Sequence, residues 1–293
     1  MQRYLIKDIL LVNEGKIVPT DVLIEGERFE KIAPHIQVKT QVTEINGAGK
    51  YLLPGVIDDQ VHFREPGYTH KATIYTESRA AVAGGVTSYM EMPNTYPPAV
   101  TLELLQQKYE IAARYSLANY SFYLGAANHH PEEIARLNAH RHEICGLKIF
   151  MGSSTGELLV DDIPTLEQIF ANCELPIATH CEDESLIRQR LQMAKTQKGE
   201  ALTAADHPWI RNEEVCLRSS SFAVSLAKRY GTRLHILHLT TADEMKLFAA
   251  DIPLAEKQIT AEVCVHHLHF TADAYPRLGN LIKCNPAIKA AHH

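Results

Sequence analysis

The 293-residue sequence predicts an α/β protein, a TIM-like (β/α)8 barrel preceded by a small β-sandwich module. Three observations carry that prediction. Residues 1–50 alternate short apolar runs with turn residues. From residue 51, short apolar strands alternate with helical stretches. Polar residues suited to chemistry then recur at the ends of those strands.

In the first block, the runs at 4–6, 9–12 and 21–27 are broken by Asn13-Glu14-Gly15 and by Gly26, which is strand-and-turn spacing. In the second block, 51–293, strands are expected at 53–63, 87–92, 119–124, 146–151, 176–180, 234–239 and 259–265. Helices are expected at 76–83, 102–115 with Thr101 as its cap, 163–171, 213–230 and 242–249. So many β–α units favour a barrel over an open sheet. A closed barrel of this type needs eight strands, and the count stops short at the seventh. The sequence is therefore expected to lack the last β/α unit and to be a fragment, because a missing strand leaves two unpaired edges beside a buried core.

Bulk properties narrow the function classes. A formal net charge of −6 argues against a nucleic-acid partner. No apolar run approaches the roughly 18 residues of a membrane span. The start, Met1-Gln2-Arg3-Tyr4-Leu5-Ile6, reads as a strand rather than a signal peptide. Six scattered cysteines, none in a CxxC pair, suit reduced thiols in the cytoplasm. A small-molecule substrate is the expectation that remains.

Active-site residues of a β/α barrel project from the C-terminal ends of its strands. His62 and Arg64 close the first expected strand, Asn94 follows the second, Lys148 lies in the fourth, His180 ends the fifth and His238 ends the sixth; Asn285 follows the loop after the seventh. Neutral imidazoles converging from separate strands suit zinc and similar divalent ions. Taken singly, each histidine is more often a hydrogen-bonded core residue, Arg64 a surface arginine and Asn94 a turn residue. Lys148 is harder to dismiss, since an apolar strand is a poor place for an ammonium group unless it is paired or chemically altered. His235, three residues before His238, is expected on the opposite face of its strand, toward the helices. The group from His266 to His269 is expected to be a loop feature.

The segment Pro54-Gly55-Val56-Ile57-Asp58-Asp59-Gln60-Val61-His62-Phe63-Arg64-Glu65-Pro66-Gly67 resembles the first-strand signature of dihydroorotases, in the cyclic amidohydrolase branch of the amidohydrolase superfamily. Glu91-Met92-Pro93-Asn94-Thr95, Gly146-Leu147-Lys148, Thr179-His180-Cys181-Glu182, His235-Ile236-Leu237-His238, Glu262-Val263-Cys264-Val265-His266-His267-Leu268 and Asn285-Pro286 follow in the family's order. The resemblance implies a metal-dependent hydrolase barrel holding one or two zinc ions. It makes His62, a carboxylated Lys148, His180 and His238 the metal ligands. Arg64, Asn94 and Asn285 would grip a substrate carboxylate. The implied reaction interconverts dihydroorotate and N-carbamoyl-aspartate in pyrimidine biosynthesis, and the implied assembly is a homodimer.

Two departures qualify that expectation. The family's first strand carries His-x-His, whereas this chain reads Gln60-Val61-His62, so the inner metal site is expected to be weaker, remodelled or empty. The family's proton-shuttling aspartate belongs to the eighth strand, so no catalytic residue is assigned within residues 1–293, and little activity is expected of them alone. Two other readings stay open. One is a hydantoinase- or allantoinase-type cyclic amidase. The other is a non-catalytic scaffold or activator of a partner enzyme such as aspartate transcarbamoylase.

Overall fold

The computed structural model describes residues 2–130, 132–152 and 158–293. The chain divides into two compact units, residues 1–56 and 57–293.

The first unit is a five-stranded sheet in the order β3-β2-β1-β4, with β5 also pairing β1. Its strands are β1 (Arg3–Asn13), β2 (Lys16–Glu25), β3 (Arg28–Ala33), β4 (Thr43–Asn46) and β5 (Tyr51–Leu52). Glu14 and Gly15, both at positive φ, make the two-residue hairpin between β1 and β2, the turn whose twist matches that of paired strands. A bulge between Ile6 and Ile9 interrupts β1. Before it β1 pairs with β4, and after it with β5. The bulge amide of Asp8 donates to the buried Asp21 carboxylate at 2.9 Å, which takes a second N–H from Ile36 at 2.9 Å. Strand alternation sends Leu5 and Leu23 into one apolar cluster, and Ile6, Ile9 and Val22 into another.

The second unit carries a seven-stranded sheet whose spatial order follows the chain. Its strands are β6 (Val56–Val61), β7 (Val86–Glu91), β8 (Asn119–Gly125), β9 (Gly146–Phe150), β10 (Ile177–His180), β11 (Leu234–Ile236) and β12 (Ile259–Ala261). The pairs from β7 through β12 are parallel. Helices connect them: α1 (Ile74–Ala83), α2 (Leu102–Tyr115), α3 (Glu132–Ala139), α4 (Ile163–Asn172), α5 (Glu184–Lys198), α6 (His207–Ile210) and α7 (Glu213–Tyr230). Two short ones, α8 (Val265–His269) and α9 (Tyr275–Leu278), follow β12. The sheet curls into a barrel wall. Gln60 on β6 and Cys264 beyond β12 lie at opposite ends of the strand order, yet Cys264 Sγ approaches Gln60 Oε1 to 3.2 Å.

Local chemistry sets the helix ends. Side chains of Thr73, Thr101, Asp162, Asp183 and Asn212 accept first-turn N–H groups, and Gly231 in the left-handed region stops α7. Every residue of β9 is buried, as a strand covered on both faces requires. Leu124, Leu147, Ile149 and Ile177 join its core without exposure. Truncating any one to alanine would cost about 2–5 kcal/mol.

All seven expected strands form, with shifted ends. Pro54 and Gly55 delay β6, and β11 stops at Ile236 instead of 239 because His238 sits at φ +41. The helix expected over 242–249 is one 3-10 turn, Glu244–Leu247. There Glu244 is buried, with Oε2 accepting from Thr241 Oγ1 at 2.7 Å. Helices α3 and α5 escape the sequence reading, although acidic first turns mark both. Among the described residues, no helix is long and apolar enough to cross a membrane.

Candidate metal and anion site

The strand ends deliver seven expected residues to one cavity of about 580 Å³: His62, Arg64, Asn94, Lys148, His180, His238 and Asn285. That size suits a small ligand. Gln60, Cys264, His266 and His267 line it too. Its positive character is plain: Arg64, Lys148 and Lys283 line it, and no Asp or Glu does among the described residues.

His62 follows β6, and its Nδ1 lies 2.7 Å from Asn94 Oδ1. An N–H donated there leaves Nε2 as a lone-pair donor. Burial, then the charge of Arg64, pushes the His62 pKa down to about 3. The next backbone turn is tightly set. Phe63 N–H donates to Glu91 Oε1 at 3.2 Å, and Arg64 adopts φ +70. Glu91 is ion-paired with Lys108, both wholly buried, and Lys108 Nζ also donates to the Met92 carbonyl at 2.8 Å. Gly67 allows this loop to meet the loop after β7, since a Cβ there would lie 2.3 Å from the Tyr96 carbonyl oxygen. Among the described residues the Arg64 guanidinium forms no hydrogen bond or ion pair.

Lys148 sits in the middle of β9, 1% exposed. Its Nζ lies 4.5 Å from the Phe150 ring centroid and has no carboxylate partner among the described residues. Burial lowers its pKa to about 7, so a neutral amine is readily reached.

His180 and His238 meet edge to face, with Nδ1 of the first 3.0 Å from Nε2 of the second. Burial holds both imidazoles below the ordinary histidine range, against the opposing pull of Glu182 on His180. Glu182 Oε2 takes His180 Nε2 at 2.7 Å and Arg211 NH1 at 2.6 Å. Nδ1 of His238 is buried without a hydrogen-bond partner. Two nitrogens on one tetrahedral zinc ion, with bonds of about 2.0–2.1 Å, stand roughly 3.3 Å apart. The spacing, the neutral rings and the carboxylate behind His180 therefore fit a divalent ion.

Asn285 is reached through a residue the sequence reading missed: His207 Nε2 lies 3.0 Å from Asn285 Oδ1 and 2.8 Å from the Cys284 carbonyl. Glu182, Arg211 and Glu91 were missed as well; only the intervals Thr179–Glu182 and Glu91–Asn94 hinted at two of them. His235 requires a correction. Lys148 and His235 both pair in register with Ala178, so both point inward. His235 Nε2 lies 3.6 Å from Asp59 Oδ2 and 3.5 Å from Glu262 Oε2. The left-handed backbone at His238 breaks the strand alternation on which the opposite-face expectation rested.

The family described as Dihydro-orotase-like matches residues 49–244. A dihydroorotase of Methanosarcina mazei is 30% identical over 98% of this chain and 63% of its own length. An allantoinase of Solibacter usitatus is 33% identical over 95% of this chain and 61% of its own. Among solved structures, the L-hydantoinase (dihydropyrimidinase) of Arthrobacter aurescens superposes with a TM-score of 0.90 at 24% identity, covering 99% of this chain and 64% of that one. The chain thus spans somewhat under two thirds of the relatives it matches, and the structural likeness shows the barrel fold.

Proposed function

The chain belongs to the dihydroorotase-like family of the amidohydrolase superfamily, and from that premise we propose that the protein opens and closes the ring of dihydroorotate, interconverting it with N-carbamoyl-aspartate. The observation that carries the choice of substrate is the cavity's charge. The Arg64 guanidinium, without a partner among the described residues, and Lys283 face a cavity without described acidic groups, an arrangement suited to a ring bearing a carboxylate. Hydantoin and allantoin carry no carboxylate for it.

His180 Nδ1, His238 Nε2 and His62 Nε2 would hold divalent metal, zinc being the ion that such a neutral imidazole set suits. Lys148, with no ion pair to a carboxylate among the described residues and its ammonium disfavoured by burial, would react with carbon dioxide and join the ligand set as a carbamate, converting an ill-placed cation into a useful anion. A bound ion supplies Lewis acidity to the ring carbonyl and lowers the pKa of water. The rest is positioning. Arg64 orients the carboxylate, the Asn94 amide keeps its N–H donors for substrate while its oxygen fixes His62, and His207 sets Asn285.

Gln60 supports a second reading, a scaffold with a reduced metal site, since its amide oxygen is engaged with Cys264. Zinc content and turnover of the full-length protein separate the readings. Expected are bound zinc and turnover of dihydroorotate well above that of hydantoin and allantoin. Protein free of zinc with unmodified Lys148 would sink the enzyme reading, and preferred turnover of allantoin would sink the substrate assignment.

A further inference from the structure

We propose that Cys264, His266 and His267 form a second site for a transition-metal ion, built around a thiolate and separate from the His180–His238 pair. One donor atom from each of the three residues lies within 4.8 Å of the other two. They come from one short stretch, with Cys264 capping α8 and the two histidines inside it, so a single turn of backbone fixes their spacing.

The lone pairs are available. His267 Nε2 lies 3.0 Å from the Pro286 carbonyl oxygen, which can only accept, so the ring proton resides on Nε2. That leaves Nδ1 unprotonated, and Nδ1 is buried with no hydrogen-bond partner. A buried nitrogen with an unused lone pair is costly unless something binds it. The Cys264 thiol donates to the Gln60 amide oxygen at 3.2 Å, and among the described residues its sulfur accepts no hydrogen bond. The His266 ring lies 4.3 Å from that of His267, centroid to centroid. One thiolate and two imidazoles make a donor set for zinc or cobalt(II) rather than magnesium or calcium. Three protein ligands leave a fourth position, and all three residues line the cavity. The His180–His238 pair contains no sulfur, so the two donor sets differ in chemistry. This inference does not depend on the ring-opening reaction.

The experiment uses the full chain stripped of metal and titrated with cobalt(II) alone. A near-ultraviolet thiolate-to-cobalt charge-transfer band is expected, which cobalt on histidines cannot give. Cys264→Ser should abolish it. His267→Gln should weaken the affinity by roughly 100-fold, because even the groups behind metal ligands are worth about 10–100-fold. Cys284→Ser and His180→Gln should retain the band. As a check needing no variant, zinc should protect Cys264 from alkylation, read by peptide mass mapping. No band in the parent protein, a band that survives Cys264→Ser, or alkylation unaffected by zinc would overturn the site. Loss of zinc dependence in turnover with the band intact would count against the proposed reaction alone.

Discussion

Glu182 Oε2 lies 2.7 Å from His180 Nε2, and the other ring nitrogen of His180 faces His238 at 3.0 Å. The carboxylate therefore decides which nitrogen of His180 carries the proton and which offers a lone pair to the cavity. Arg211, 2.6 Å from the same oxygen, holds that carboxylate in place. Sequence order conceals the arrangement, since Glu182 is only two positions from the histidine it orients but 29 positions from the Arg211 that holds it.

Glu182→Gln tests the consequence. The amide keeps the volume and removes the charge that fixes the ring. Metal affinity at the histidine pair should fall about 10–100-fold, measured by competition with a chromophoric chelator. An unchanged affinity would show that His180 does not depend on Glu182 for its orientation.

Arg64→Ala addresses the substrate. With no hydrogen-bond or ion-pair partner among the described residues, the guanidinium can be removed without leaving a described group unpaired. A hydrogen bond to a charged group is worth about 1.5–3 kcal/mol, so KM for dihydroorotate should rise on the order of 10- to 100-fold. Turnover of a ring without a carboxylate should be barely affected. Equal losses on both substrates would place Arg64 outside carboxylate recognition.

The buried Glu91–Lys108 pair stands behind the His62–Arg64 turn, with Glu91 accepting the Phe63 N–H. Burial pushes the two groups in opposite directions, raising the carboxyl and lowering the ammonium, while their attraction opposes both shifts. Lys108→Met leaves a buried carboxylate without its partner and should cost about 3–5 kcal/mol, whereas the double change Glu91→Gln with Lys108→Met should recover much of that loss. Urea unfolding of the cycle reads both. Additive losses would mean that the two side chains do not act as a pair.

Much of the barrel was legible because its signals are local. The apolar run 146–151 and the cap Thr101 act over a few residues, and strand order follows from right-handed β–α connections. The residues lining the cavity were legible because a barrel collects strand ends. What escaped depends on contacts distant in sequence or on backbone breaks. His207 meets Asn285 across 78 positions, Glu91 meets the backbone of Phe63 across 28, and the left-handed turn at His238 reverses the direction assigned to His235. Periodicity carries no information about any of these.

Lys148 gives a pH signature that needs neither metal nor substrate. Its pKa falls to about 7 in the folded chain through burial, against about 10.4 in an unfolded one. Between those values the unfolded state binds more protons, so folding stability rises with pH across that window and the penalty is full below pH 7. Lys148→Met removes the group at similar volume. In buffer free of metal and carbon dioxide, the parent should therefore be less stable than the variant at pH 7 and should close the gap by pH 10. The change is on the order of 4 kcal/mol, at about 1.36 kcal/mol per pKa unit. Denaturant unfolding of both proteins at the two pH values supplies the difference, in which other titrating groups cancel. A gap independent of pH would mean that the ammonium finds an anionic partner in solution, and the case for its conversion to a carbamate would lose its physical basis.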